Sequence, residues 1–168
     1  MSDLTEVERM LSLETTPAQR AAWLAALPDV TDRSEMAQGN AVRALGLKVH
    51  IIGSDVMVCS LPVDGNEQHM GILHGGMHAV LGETTGSFAA CHGCEPGWTA
   101  LGLDISMHHH RGVAEGRVWC LARCVSRTRS FASYQLAVYR DDGKVASTGY
   151  HTCALRPVSE TAEARMPR

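Results

Sequence analysis

GGMHAVLGETTGSFAAC, residues Gly75–Cys91, is the stretch whose reading decides the fold. Apart from the titratable His78, Glu83 is its only acidic or basic residue. The run is shorter than the ~20 apolar residues a membrane span needs. It holds no proline and lies between turn-like segments, so it predicts a buried core helix. Gly75, Ala79, Gly82, Gly86 and Ala90 form a stripe of small residues that would let this helix approach a sheet closely. A helix apolar nearly all round must be covered on several sides. A carboxylate inside it loses hydration, and partial burial would raise its pKa toward the range of a base. Glu83 is therefore a candidate for chemistry.

Working outward, the period changes from 3.6 to 2 on both sides. Leu47, Val49 and Ile51 alternate with Lys48 and His50, and Gly53-Ser54-Asp55 turns the chain into a second strand through Leu61. Beyond the helix, four strands are predicted over 101–111, 118–126, 131–140 and 144–155. Asp141-Asp142-Gly143 joins the last two as a hairpin. Within the histidine-bearing strand, Leu103, Ile105, Met107 and His109 share the core-facing side. Asp104, Ser106, His108 and His110 share the other.

The N-terminal region reads as helical. Leu4, Val7, Met10 and Leu11 fall at helical spacing. Thr16-Pro17 with Gln19 three residues after the cap starts a second helix, which Pro28 stops near Leu27. Met36, Val42 and Leu45 suggest a third, short helix closed by Gly46. The pattern is α+β, a curved antiparallel sheet wrapped around one central helix. The expected organisation is a helical extension over 1–40, a main domain over 41–157, and a disordered tail over 158–168.

The 168 residues suit one domain with a real core, and a net charge of −3 offers no attraction for nucleic acid or an anionic membrane. The first ten residues lack a basic-then-apolar pattern, so a cytoplasmic protein is expected. The six cysteines sit mostly in apolar, strand-like surroundings, as reduced core thiols do. Cys91-His92-Gly93-Cys94 lacks the second pair of ligands that zinc requires, so no metal is expected.

Gln68-His69-Met70-Gly71-Ile72-Leu73-His74-Gly75-Gly76, followed by Glu83-Thr84-Thr85-Gly86-Ser87, resembles the signature of hotdog-fold acyl-CoA thioesterases, of the phenylacetate-pathway and 4-hydroxybenzoyl-CoA type. The resemblance runs from about Leu45 to Pro157. It implies a hotdog fold and hydrolysis of an acyl-CoA, with an aryl or medium-length acyl group. It implies that Glu83 is the catalytic carboxylate, as nucleophile or as base on water, and that the Gly75 N–H binds the thioester oxygen. Gln68 and His74 would position the thioester, and Ser87 would place water or the acyl group. Gly76, Thr84 and His109 would lie on the substrate side, with Arg129 and Ser130 toward the nucleotide of coenzyme A. Thr128 departs from the pattern, standing where relatives often carry glycine. No cofactor is implied, since coenzyme A belongs to the substrate.

Bland readings stand beside several of these. His74 serves equally well as a helix-entry residue bonded to backbone, Ser87 as a helix residue bonded back to a carbonyl, and Arg129 as a solvated strand-end charge. Alternatives for the whole chain are a hotdog acyl-CoA hydratase or dehydratase, and a non-catalytic acyl-CoA binder.

Thioester hydrolysis places negative charge on the carbonyl oxygen, and a helix N-terminus with glycine offers unpaired N–H donors and close approach. Yet Glu83 lies eight residues beyond Gly75, roughly 12 Å along one helix. Both must come within ~3 Å of reacting atoms in one thioester. A site shared between two copies is therefore expected, making a homodimer the minimum and a homotetramer the larger assembly.

Overall fold

The computed structural model describes residues 3–158. Helix α1 (Asp3–Leu11) and helix α2 (Pro17–Ala26) come first, then two short 3-10 turns (Thr31–Arg33 and Glu35–Gln38) and α3 (Asn40–Ala44). Strands β1 (Lys48–Ile51) and β2 (Val56–Pro62) precede helix α4 (Gly75–His92). Strands β3 (Trp98–His109), β4 (Arg117–Arg127), β5 (Phe131–Arg140) and β6 (Val145–Pro157) complete the chain. The expected tail falls mostly outside the described residues, as does the side chain of Leu4.

All six strands pair antiparallel in the order β1-β2-β4-β5-β6-β3. Helix α4 packs against β2 through β6. Its small residues make this possible. A Cβ on Gly82 would sit 2.9 Å from Leu136 Cδ1, and one on Gly86 would sit 2.7 Å from His151 Cδ2. Met57, Cys59, Leu61, Cys120, Ala122, Tyr134, Leu136 and Val138 line this inner side with Leu81 and Ala89.

The other side of the sheet is apolar as well. Ile51, Val56, Val58, Trp119, Leu121, Ala137 and Tyr139 would face water, but Val7, Met10 and Leu24 of the N-terminal helices cover them. This explains why β2 reads as a near-continuous apolar run rather than an alternation. Thr16 caps α2 through the full capping box with Gln19. Arg20, only 6% exposed, ties the extension down: Nε donates to Met10 O at 2.8 Å and Nη1 to Gly143 O at 2.9 Å. Its guanidinium also lies 4.4 Å from the Tyr139 ring centre. Gly143, with φ +73°, is the place where a Cβ would collide with the Pro17 carbonyl.

Three expectations need correction. The third helix is short, as expected, but does not reach back to Met36: Gly39 is extended (φ −61°, ψ 141°), so the segment from Glu35 breaks into a 3-10 turn and a five-residue helix. His50, expected on the outward side of β1, is buried; the extension covers it, and its Nδ1 donates to Pro28 O at 2.9 Å. Leu103 is 56% exposed rather than core-facing. The pairing of β3 with β6 slips between Gly102 and Asp104, so Leu103 is the extra residue of a bulge and the inward parity changes there. Ala100 faces in before the bulge, and Ile105 and Met107 pack on the core after it.

Candidate active site

The start of α4 is built by its cap. His74 Nδ1 accepts from Gly76 N–H at 2.9 Å, and Met77 N–H donates to His74 O. The Gly75 N–H is left without an acceptor among the described residues. Because Nδ1 of His74 is an acceptor, a neutral His74 carries its proton on Nε2, on an exposed ring. His74 is thus a helix cap, and its second nitrogen is free to act elsewhere.

A cavity of about 370 Å³ opens beside this helix end, lined by Gln68, Ile72, Gly75, His78, His109 and Arg111 among others. A Cβ on Gly75 would come 3.4 Å from His109 Nε2, so glycine leaves the N–H accessible here. His78 stands behind His109 with ring centres 5.1 Å apart and an edge-on contact. Its Nδ1 meets Ser147 Oγ at 2.8 Å. Burial, and secondarily the neighbouring His109, pushes the His78 pKa down to about 4, so it is neutral near pH 7. Gln68, Gly75 and His109 are therefore brought together around one cavity.

Glu83 is elsewhere. Its Oε1 lies 3.2 Å from where a Cβ on Gly102 would be, and His151 Cε1 lies 3.2 Å from the same point. Against the expectation of a buried carboxylate, Glu83 is exposed in the single chain. The sheet and strands cover the His78, Leu81, Thr85 and Ala89 side of α4, leaving Gly76 and Glu83 on an open side. That side adjoins β3, a 12-residue strand at the sheet's edge that exposes Leu101 and Leu103.

Ser87, one turn beyond Glu83, meets His151 Nε2 at 3.0 Å. Neither His151 nor Cys153, whose Sγ is 3.0 Å from the same nitrogen, was singled out by motif. Strand period would have exposed them: Ser147, Gly149, His151, Cys153 and Leu155 share the inward side of β6, and a histidine there is polar on an apolar face. Thr84 is half-buried. Arg129 lies in a second cavity of about 380 Å³ with Cys94, Trp98, Arg127 and Leu155, at the other end of α4 from Gly75. Ser130 is exposed in the adjoining turn, where its carbonyl accepts from Leu155 N–H. Arg127, not Arg129, makes the fixed contacts there, donating to Gly93 O at 3.1 Å and Ala90 O at 3.2 Å. Among the described residues no group of three or more His, Cys, Asp or Glu is placed to hold a metal ion, and Cys91 and Cys94 donate to the backbone of Ala100 and Ala90. No described helix is long and apolar enough to cross a membrane.

Comparison with known proteins gives this arrangement its family. Residues 70–147 match the thioesterase superfamily. The chain is 32% identical over 118 residues to the proofreading thioesterase EntH of Cronobacter turicensis, covering 70% of this chain and 86% of that protein. It is 31% identical over 121 residues to 1,4-dihydroxy-2-naphthoyl-CoA hydrolase of Escherichia coli, covering 71% and 89%. A solved thioesterase from Haemophilus influenzae superposes with a TM-score of 0.72 at 30% identity, covering 76% of this chain and 90% of that one. The chain belongs to the hotdog-fold thioesterase superfamily, and it is an enzyme acting on thioesters.

Proposed function

We propose that this enzyme hydrolyses an aryl or medium-length acyl-CoA to free acid and coenzyme A, without a metal or other cofactor, at a site assembled from two copies of the chain. One observation carries the shared site. Gly75 abuts His109 whereas Glu83 abuts Gly102, and these partners stand seven residues apart on β3. The two groups thus keep the separation that eight residues of α4 impose, roughly 12 Å, while each must come within ~3 Å of reacting atoms in one thioester. A long edge strand with exposed leucines is a template for pairing with a second copy. Such pairing would lay the open side of each α4 beside its partner.

In this reading the Gly75 N–H, with Gln68 and the His74 Nε2–H near it, holds the thioester oxygen of a substrate whose acyl side reaches His109. Glu83 of the other copy takes a proton from water as the water oxygen attacks the carbonyl carbon. The oxyanion is stabilised by the amide donor and the partial positive charge of the helix end. Collapse breaks the C–S bond, and the departing thiolate receives the proton from Glu83. Gly76 and Thr84 flank the path, and Arg129 and Ser130 offer contacts for the nucleotide. Thiol release across a panel of acyl-CoAs, followed with a chromogenic thiol reagent, tests this directly. Glu83→Ala should lower kcat by about 10²–10⁴-fold. A wild type that binds acyl-CoA but releases no thiol from any member of the panel would mean the reading is wrong.

A further inference from the structure

His151 is 1% exposed, yet it sits where α4 and β6 cross, on the apolar side of the sheet. Space for its ring is made on two sides by glycine. A Cβ on Gly86 would lie 2.7 Å from Cδ2, and one on Gly102 would lie 3.2 Å from Cε1. The ring's orientation is then set by hydrogen bonds. Nδ1 lies 2.7 Å from the carbonyl oxygen of Asp104, which only accepts, so Nδ1 carries the proton. In a neutral ring Nε2 is therefore an acceptor. Two hydrogen-bearing groups lie 3.0 Å from it, the Ser87 hydroxyl and the Cys153 thiol.

Cys153 Sγ stands 3.0 Å from the same Nε2 and 3.7 Å from Ser87 Oγ. One lone pair cannot serve both donors, and the thiol, held protonated by burial, can give its hydrogen to Ser87 Oγ instead. The order of donation then runs Cys153 S–H to Ser87 Oγ, and Ser87 O–H to His151 Nε2. Ser87 keeps a lone pair for the open side of the helix, one turn from Glu83. The groups facing the ring are Glu83 and Ser87 from α4, the Asp104 carbonyl from β3 and Cys153 from β6; Glu83 is the charged one among them.

We propose that His151 is a positioning residue for hydrolysis: it turns the Ser87 hydrogen away from Glu83, so that Ser87 can only accept a hydrogen bond from the attacking water, whose proton goes to Glu83. This rests on the water-and-glutamate reading above. Were the Ser87 hydrogen free, it could turn toward Glu83, one turn earlier on α4, and compete for the lone pairs that accept the water's proton. Held by His151, Ser87 instead helps hold the water with a lone pair aimed at the carbonyl carbon.

The discriminating pair of variants keeps one nitrogen's role at a time. Asn at this position places a donor near the Asp104 carbonyl but offers nothing to Ser87. Gln reaches the Nε2 position with an acceptor. His151→Asn should lower kcat by about 10–100-fold with KM within about twofold, while His151→Gln keeps most of kcat. In a Ser87→Ala background, His151→Asn should cost no further factor beyond about twofold, because the two act as a unit. An undiminished kcat in His151→Asn would overturn the proposal, as would the same fold loss in both backgrounds or equal losses in the Asn and Gln variants. If the variants do not fold, long-range proton–nitrogen NMR of the wild type decides: an Nδ1–H tautomer for His151 supports the proposal, and an Nε2–H tautomer overturns it. An inactive wild type would instead defeat the hydrolase reading, and the tautomer measurement keeps the two failures apart.

Discussion

Mixing two inactive chains should restore hydrolysis, because each would bring the half of the site the other lacks. One chain carries Glu83→Ala. The other carries Gly75→Val, chosen because a Cβ there already stands 3.4 Å from His109 Nε2, so the two methyls of valine must fill the approach to the free N–H. Loss of access to an oxyanion donor costs about 10²–10³-fold, and loss of the general base about 10²–10⁴-fold, so each homodimer should be nearly silent. In a heterodimer one site combines the intact Gly75 of the first chain with the intact Glu83 of the second, and the other site is doubly defective. Random pairing of equal amounts makes half the dimers mixed, so about a quarter of wild-type activity should return. Heterodimers isolated through two different affinity tags should show about half. The assay is thiol release from a good acyl-CoA substrate, with thermal unfolding of each variant recorded beside it. Doubly tagged dimers that fold as the wild type does and hydrolyse no faster than either parent would refute a site divided between copies.

Two predictions concern stability. His78 is pushed by burial from 6.5 down to about 4 in the folded chain, so between those values the unfolded chain binds a proton that the folded chain refuses. Stability should be full above about pH 6.5 and decline toward pH 4, by about 1.4 kcal/mol per pH unit and about 3 kcal/mol across the window. Buried His50 shifts in the same direction. Urea unfolding at several pH values, compared with His78→Gln, measures this; equal slopes for the two proteins would contradict it. Arg20→Ala should cost about 3 kcal/mol, since it strands the buried Gly143 carbonyl, leaves Met10 O only the long 3.5 Å bond from Tyr139 OH, and empties the contact with the Tyr139 ring. A urea midpoint like that of the wild type would show that the extension is held by its apolar contacts alone.

Much of this was legible along the chain. Thr16 and Gln19 announce α2 because a capping box is a contact between near neighbours. Gly143 marks the β5–β6 hairpin because its positive φ is a local requirement. Alternation put His109 on the side of β3 shared with Ile105 and Met107; there it lies against Gly75 and His78, though at the exposed end of the strand rather than in the core. Leu103 defeats the same rule, since a bulge depends on how β3 matches β6 rather than on β3 itself. The exposure of Glu83 was equally hidden: an apolar helix looks enclosed until the number and order of covering strands are known.

Local spacing alone determined most of the elements, the capped glycine start of α4 and the lone carboxylate two turns beyond it. Periods of 2 and 3.6 and the rules of caps and turns act over a few residues, so one dimension suffices for them. Tertiary structure decided which groups meet across the chain: His151 with Ser87 over 64 positions, His109 with Gly75, and Arg20 with Gly143. It also left β3 at an open edge with Glu83 beside it. Those outcomes follow from strand order and register, which are set by burying both faces of the sheet at once and not by any short stretch of residues.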